Sequence, residues 1–281
     1  MKLKKGFFTL LILIFMVTPI GCSGNQTSKE DEKAKETLTQ EQTTQQEPKG
    51  NAKNLIVATS ADFPPFEYHE IIAEKDAITG FDIELIQEIG KELGMKVKIE
   101  DMSFDGVISS VETGKADLGI SGISYTEERT EKVDFSDPYY YSAQTILIKK
   151  DAEEITTMGQ LKGKVVGSQL ATTSDDVISS FEGVRVKKYD KVNDAILDLN
   201  NGRIDAVIVE DAIATEFAKD YQELKVVVPK GLNTEKVPMA IAFPKGQEEL
   251  VKDVNEVLQT LKDSGKLNKL IEKYGLVPFE E

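Results

Sequence analysis

Three polar side chains in this sequence are of the types needed to hold a small zwitterion. Arg129 follows a strand end and a polar turn, where a guanidinium can hold a carboxylate in a planar two-bond fork. Thr172 lies where a strand gives way to a helix, a setting in which free N–H groups suit an anion. Asp211 can cap the next helix or accept from an ammonium. Together they match the two ends of a free α-amino acid.

Aromatic residues beside the first predicted strand are candidates for a ligand wall. The segment SADFPPF runs from Ser60 to Phe66, and its prolines exclude a helix and stiffen a turn that presents Phe63. Open α/β sheets bind ligands beyond the carboxyl ends of their strands, where this turn lies. We expect Phe66 to be a core residue instead.

Most catalytic sites are excluded by composition. The single histidine, His69, rules out HExxH and two-histidine metal sites, and the single cysteine, Cys22, is placed at the N-terminus. The sequence contains no GxxxxGK[ST], GxGxxG or GxSxG motif. We therefore expect no metal and no cofactor, and we interpret His69 as a solvated loop residue. Carboxylate pairs stay open, because 49 acidic residues will place some pairs close together by chance.

From Asn54 onward, strand patterns alternate with helix patterns. Residues 55–58 are a β-run, residues 81–93 carry an apolar helical face, and the alternation continues to two amphipathic helices near the C-terminus. Such alternation predicts βαβ units and parallel sheets covered on both faces, an α/β fold.

An internal similarity suggests two related halves. Residues 105–120 read DGVISSVETGKADLGI and residues 193–208 read NDAILDLNNGRIDAVI, so that Asp117 matches Asp205 at a constant offset of 88. Each copy gives a helix, a glycine stop, a basic residue and an Asp-bearing strand. We expect two similar α/β lobes, although any βα protein reuses this order of elements.

The N-terminal segment predicts secretion and a lipid anchor. Residues 1–21 have a lysine-rich start, an apolar core and small residues before Cys22, and they resemble a bacterial lipoprotein signal. The alternative is an ordinary signal peptide that happens to contain a cysteine. Residues 22–53 are polar and are expected to form a flexible tether, or a lone helix through residues 30–41. Removing residues 1–21 takes the net charge from −15 to −18, which disfavours nucleic acid as a partner.

Several longer motifs together resemble the bacterial solute-binding proteins of family 3, the polar amino-acid receptors of ABC importers. They occur in order between about Asn54 and Tyr274: SADFPPFEY, GFDIELIQEIGKELG, GISYTEERTEKVDFSDPYY, the loop at 169–173 and IAFPKG. The resemblance implies the type II periplasmic-binding-protein fold, with two lobes joined by two hinge strands and a ligand cleft between them. Lobe 1 would comprise residues 54–141 and 238–281, and lobe 2 residues 142–237.

The same resemblance implies roles for individual residues. Arg129 corresponds to the α-carboxylate arginine, Thr172 to the carboxylate donor of lobe 2 and Asp211 to the α-ammonium acceptor. The other implied ligand-binding residues are Ser60, Phe63, Phe104, Gly122, Ser124 and Gln169.

The sequence departs from that pattern at Ser60, where many such receptors carry an aspartate for a distal amide or cation. Asp62, Glu67 or Glu210 could take over that role. The usual mode of lysine binding is put in doubt, and arginine, glutamine or another polar amino acid stays open.

Two functions are consistent with these observations. The first is a monomeric receptor for a polar L-amino acid, lipid-anchored at the outer face of the cell membrane, that delivers its ligand to an ABC permease. The alternative is an extracytoplasmic cyclohexadienyl dehydratase on the same scaffold, with Glu210 as the candidate acid.

Overall fold

The computed structural model describes residues 53–278; the predicted signal peptide, Cys22 and all but the last residue of the predicted tether lie outside them. The strands are β1 (Asn54–Thr59), β2 (Asp62–Phe63), β3 (Glu67–Ile72), β4 (Lys75–Thr79), β5 (Lys96–Asp101), β6 (Leu118–Gly119), β7 (Val133–Phe135), β8 (Tyr140–Ser142), β9 (Gln144–Lys149), β10 (Val165–Gln169), β11 (Arg185–Tyr189), β12 (Ala206–Glu210), β13 (Leu224–Val227), β14 (Val237–Met239) and β15 (Ala242–Pro244). The α-helices are α1 (Phe81–Glu92), α2 (Phe104–Glu112), α3 (Glu127–Thr130), α4 (Thr173–Ser179), α5 (Val192–Asn200), α6 (Asp211–Asp220), α7 (Glu248–Asp263) and α8 (Lys266–Lys273). A 3₁₀ helix spans Met158–Leu161.

The first lobe is built on a five-stranded sheet in the order β5-β1-β6-β15-β7. Its second strand, β1, lies between β5 and β6 and pairs in parallel with both. Leu55 and Val57 pack in the same buried cluster as Leu85 of α1, whereas Ala58 packs with Val107 of α2. Because successive side chains point to opposite faces of a strand, β1 is covered on both faces, as a parallel sheet requires.

The start of α1 depends on a glycine. Gly80 has φ 126°, and a Cβ there would lie 2.2 Å from the carbonyl oxygen of Phe66. The same carbonyl accepts a 2.9 Å hydrogen bond from the Asp82 N–H. Only glycine has both the φ and the space for this approach, which brings Asp82 next to the segment that carries Glu67.

The second lobe repeats the arrangement of the first. Its sheet has the order β11-β10-β12-β9-β13, with β10 parallel to β11 and β12, and β9 antiparallel to β12 and β13. In the first lobe β15 is likewise antiparallel to β6 and β7.

The sequence similarity at an offset of 88 residues has a structural basis. The Asp117 carboxylate accepts from the Ile56 N–H at 2.7 Å, and its match Asp205 accepts from the Val165 N–H at the same distance. In both lobes the aspartate that follows the glycine stop ties its own strand to the neighbouring parallel strand, β1 in the first lobe and β10 in the second. The two halves therefore share a specific hydrogen bond as well as an order of elements.

The chain crosses between the two lobes at β8 and β14. These strands pair antiparallel, with Ser142 opposite Val237 and Tyr140 opposite Met239. A division at this ladder, into 54–141 with 238–281 and 142–237, remains our proposal for the lobe boundaries. Within residues 53–278, no helix combines the length and apolar character needed to cross a membrane.

Candidate functional site

A narrow cavity lies between the two lobes, with a free volume of about 10 Å³, close to that needed by one water molecule. Its walls come from both lobes, at the carboxyl ends of the central strands and the loops after them. The lining residues are Ser60, Phe63, Glu67, Phe104, Ser121, Gly122, Ser124, Arg129, Gln169, Thr172, Thr173 and Glu210. Of the ligand-binding residues expected from sequence, all but Asp211 are in this set. Phe66 is fully buried in the core, as expected.

Arg129 is held at the cavity by a short helix. Thr126 caps α3 by accepting from the Arg129 N–H at 3.2 Å, which turns the arginine side chain back toward the end of β6. One guanidinium nitrogen donates to the Ser124 carbonyl at 2.7 Å and the other to the Ala171 carbonyl of lobe 2 at 2.9 Å. The guanidinium also lies 5.3 Å from the centre of the Phe104 ring. Because a guanidinium has five N–H donors, it retains donors for a ligand.

On the lobe 2 side, the loop before α4 approaches Arg129. Ala171 has φ 64°, a left-handed conformation that costs roughly 1–2 kcal/mol for a non-glycine residue. Thr172 caps α4 by accepting from the Asp175 N–H, and it donates its hydroxyl proton to the Gln169 carbonyl at 2.7 Å. The Thr172 hydroxyl is therefore already used within lobe 2.

Thr173, the next residue, has the more versatile hydroxyl. It lies 3.4 Å from the Ser124 hydroxyl of lobe 1 and 3.4 Å from Glu210 Oε1. It also accepts from the Gln144 side chain at 3.3 Å. Thr173 lies in the loop at 169–173 that the motifs marked, whereas nothing in the sequence marked Gln144, because an amide in a strand is too common to stand out.

The expected role of Asp211 as the ammonium acceptor needs a correction. Glu210, the last residue of that strand, is buried in the cavity wall, where Gln144 donates to Oε1 at 3.2 Å. Asp211 begins α6 and faces the hinge, accepting from the Ser142 hydroxyl at 2.7 Å and the Ala143 N–H at 3.4 Å. Since side-chain direction changes from one residue to the next, only one of two adjacent acids can face the cavity. The structure places Glu210 there.

Burial also affects the pKa of the Glu210 carboxyl. Removal from water raises its pKa, and the opposing influences are hydrogen bonds, including the one from Gln144, and the positive charge of Arg129. The cavity thus holds a cation, Arg129, and an acid, Glu210, from opposite lobes.

A second acid, Glu67, lines the cavity from lobe 1 and is fully buried. Its Oε1 accepts from the Ser121 hydroxyl at 2.7 Å, and the Ser121 oxygen in turn accepts from the Ser60 N–H at 3.0 Å. Burial and the neighbouring Asp82 raise the pKa of Glu67 well above its usual value. Ser60 therefore lies beside an acid supplied from β3.

These features agree with comparisons to known proteins. Residues 55–277 match the family of bacterial extracellular solute-binding proteins, family 3. The chain belongs to this family.

Three members illustrate what the chain is similar to. The arginine-binding extracellular protein ArtP of Bacillus subtilis is 36% identical over 79% of this chain and 86% of its own. The L-cystine-binding protein TcyJ of Escherichia coli is 32% identical over 78% of this chain and 82% of its own. A third similar protein is AbpA from Streptococcus pneumoniae, an amino acid ABC transporter substrate-binding protein whose structure was solved bound to L-arginine. It is 37% identical with a TM-score of 0.75, over 79% of this chain and 94% of its own. This family 3 protein thus has the two-lobed fold expected from its motifs.

In this family 3 protein the lobes also touch outside the cavity wall. The Asp62 carboxylate of lobe 1 accepts from the Val192 N–H, the first residue of α5 in lobe 2, at 2.5 Å and from the Gln169 amide at 3.4 Å. Lys191 lies 3.9 Å away, and no side chain of lobe 2 caps α5. Asp62 therefore provides the cap of a helix in the other lobe, an arrangement that we call the interlobe cap.

His69 lies in β3, not in a loop as expected. It is partly exposed, with its ring nitrogens 2.9 Å from Asp76 and 3.3 Å from Asp101. Asp101 also pairs with Lys191 of lobe 2 at 3.4 Å, so this cluster adjoins the interlobe cap.

Proposed function

We propose that this protein is an extracytoplasmic receptor for a polar L-amino acid with a cationic side chain, L-arginine in particular, and that it delivers the ligand to an ABC importer. The observation that carries the proposal is the charge pattern of one cavity. Arg129 faces Glu210 across the lobes, and a further acid, Glu67, lines the same space. A ligand with one carboxylate and two cations complements these three groups.

The α-carboxylate fits Arg129 and the α-ammonium fits Glu210. Both interactions are charge-assisted hydrogen bonds, worth about 1.5–3 kcal/mol each. The Thr173 hydroxyl, which lies within hydrogen-bond distance of Ser124 and Glu210, can serve either end of the ligand. Because Arg129 and Glu210 come from different lobes, the complete set of contacts exists only when the lobes are together.

The ligand side chain fits the region around Glu67. No lysine or arginine within residues 53–278 forms an ion pair with this carboxyl group, so a ligand cation would be its first opposite charge. Phe63 and Phe104 supply apolar walls for the methylene groups between the two ends. ArtP and AbpA, which are described as arginine-binding and arginine-bound, support this assignment.

Ligand binding would act on an equilibrium between open and closed lobes. Shifting such an equilibrium from 1:99 to 99:1 requires about 5.5 kcal/mol of preferential binding to the closed state. Two or three charge-assisted contacts that are completed only on closure are sufficient in size. The interlobe cap contributes to the same closed state without occupying the ligand space.

Calorimetric titration of the secreted chain against the twenty amino acids tests the proposal. We expect L-arginine to bind most tightly and amino acids with acidic side chains not to bind. Preferred binding of an acidic amino acid, or binding of none of the twenty, would contradict it. Assaying arogenate and prephenate for turnover tests the dehydratase alternative, because a receptor returns its ligand unchanged.

We further propose that the mature protein is attached to the membrane through a lipid on Cys22. The support is the charged, apolar and small-residue order before this cysteine. One acyl chain gives only marginal membrane binding, so stable attachment requires more than one. Cys22→Ser should release the protein from the membrane fraction, whereas Ser23→Ala should not. Retention of the Cys22→Ser protein after signal cleavage would contradict the anchor.

A further inference from the structure

The acid that lines the cavity from lobe 1 is one half of a buried carboxyl pair. Glu67 and Asp82 are both fully buried, and each uses one oxygen for ordinary hydrogen bonds. Glu67 Oε1 accepts from Ser121, while Asp82 Oδ2 accepts from the Gly122 N–H and the Tyr139 hydroxyl, each at 2.8 Å. The remaining oxygens, Glu67 Oε2 and Asp82 Oδ1, have no N–H or O–H donor from the described residues.

Two carboxylate oxygens without donors are costly to bury, and two adjacent negative charges are more so. Both problems are solved if one carboxyl carries a proton and donates it to the other. The two carboxyl groups are neighbours, because they accept from the adjacent residues Ser121 and Gly122 and because Asp82 N–H donates to the Phe66 carbonyl. Asp82 receives two donors on Oδ2 and is the better anion, whereas Glu67 receives one. The proton therefore belongs mainly to Glu67.

Resting on the arginine assignment above, we propose that Glu67 and Asp82 share a single proton in the empty cavity and that a ligand with a cationic side chain expels it on binding. The proton passes to solvent, the ligand cation stays charged, and Glu67 becomes the carboxylate that pairs with it. Asp82 acts as a positioning residue, because it does not line the cavity but sets the charge of the residue that does.

The groups around the pair favour this arrangement. Asp62 on β2 adds a negative charge that opposes ionisation, and the Tyr139 hydroxyl donates to Asp82. Burial and these negative neighbours raise the pKa of Glu67, and burial also raises the pKa of Asp82. The cation Arg129 lines the same cavity but makes its hydrogen bonds to Ser124 and Ala171. A ligand guanidinium next to Glu67 would reverse the local balance of charge.

Infrared spectroscopy tests the proton in the empty protein. We expect the ligand-free protein at pH 7 to show a protonated-carboxyl band that Glu67→Gln and Asp82→Asn each remove and that L-arginine abolishes. Both substitutions keep an oxygen that can accept the existing hydrogen bonds, and circular dichroism would confirm that they fold. A ligand-free spectrum without this band would overturn the shared proton.

Calorimetry in buffers of different ionisation enthalpy tests the release. L-Arginine should release up to one more proton than L-glutamine, because both ligands meet Glu210 alike but only arginine brings a cation to Glu67. In Asp82→Asn, arginine should still bind while its excess release falls by at least half. Arginine binding with the same release as glutamine would overturn the expulsion and leave the proposed function intact. Failure of arginine to bind would overturn both the proposed function and the expulsion, and the infrared band would still decide the shared proton.

Discussion

The two lobes have the same strand order and the same aspartate-to-backbone tie at matched positions, yet they contribute opposite charges to the cavity. Asp117 and Asp205 make their equivalent bonds far from the ligand space, where the repeat has been kept. At the carboxyl ends of the strands the lobes differ: lobe 1 carries Arg129, and lobe 2 carries Glu210. In the proposed binding mode, the α-carboxylate and the α-ammonium of the ligand are therefore met by different lobes.

The lobes also differ in what supports their charged groups. Glu210 of lobe 2 is held by neutral donors, the Gln144 amide and the Thr173 hydroxyl. Glu67 of lobe 1 instead lies against another acid. We infer from this difference that Glu210 of lobe 2 accepts from any ligand in the same way. The charge on Glu67 of lobe 1 depends instead on which ligand enters the cavity.

Removing the cation of lobe 1 should have the largest effect on binding. Arg129→Ala leaves the ligand carboxylate desolvated and unpaired, which costs about 2–5 kcal/mol, or roughly 30- to 5,000-fold in affinity. Arg203→Ala is the matched control, since Arg203 pairs with Asp198 on an exposed part of lobe 2. Calorimetry and thermal melting of both variants check the result. If Arg129→Ala melts normally and binds arginine within threefold of the unchanged protein, the site assignment is wrong.

Removing the acid of lobe 2 should have the second-largest effect on binding. The result also distinguishes Glu210 from its neighbour Asp211. Glu210→Gln should weaken arginine binding by about 10- to 150-fold, because a charge-assisted bond of about 1.5–3 kcal/mol is lost. Asp211→Asn should bind within threefold, since Asp211 faces the hinge. The reverse order of effects in calorimetry would restore Asp211 as the ammonium acceptor.

The interlobe cap should matter less, because it stabilises closure without touching the ligand. Asp62→Ala removes the acceptor of the Val192 N–H and should weaken arginine binding by about tenfold, the size of one helix cap or charge-assisted bond. The loss should appear as faster ligand dissociation in stopped-flow measurements. Asp253→Ala, at an exposed residue of α7, is the control, and equal dissociation rates for the two variants would contradict a role in closure.

The smallest expected effect concerns stability and pH. Because the pKa of Glu67 is raised by folding, its favourable contribution is complete below about pH 4.5 and is lost as the pH rises through the folded-state value. The side chain in Glu67→Gln cannot ionise. The melting temperature of this variant, relative to that of the unchanged protein, should therefore increase as the pH is raised from 4 to 8. A constant difference across this range would show that Glu67 is not held protonated by the fold.

Local sequence patterns predicted much of this molecule. Alternating strands and helices predicted the α/β class, and the repeat at an offset of 88 predicted paired lobes. Both features depend on short-range periodicity and on the positions of glycines, which a sequence shows directly. The turn that carries Arg129 was also predicted, since a polar run directly follows a strand pattern there, and the structure shows Thr126 capping the short helix.

The rest depended on contacts between distant segments. Whether Glu210 or Asp211 faces the cavity is decided by the residue at which β12 ends, and a prediction of strand ends is uncertain by more than one residue. The pairing of Glu67 with Asp82 depends on the close approach of Gly80 to Phe66. The interlobe cap joins residues 130 positions apart, and no local pattern marks it.

Small-angle X-ray scattering of the secreted chain, with and without saturating L-arginine, tests the central claim most directly. That claim is that the two lobes supply opposite charges which a ligand can satisfy only by bringing them together. We predict a smaller radius of gyration with arginine and no such decrease for Glu210→Gln at the same ligand concentration. An unchanged radius for the unchanged protein, with binding confirmed calorimetrically, would contradict a hinged receptor and indicate a preformed, rigid pocket.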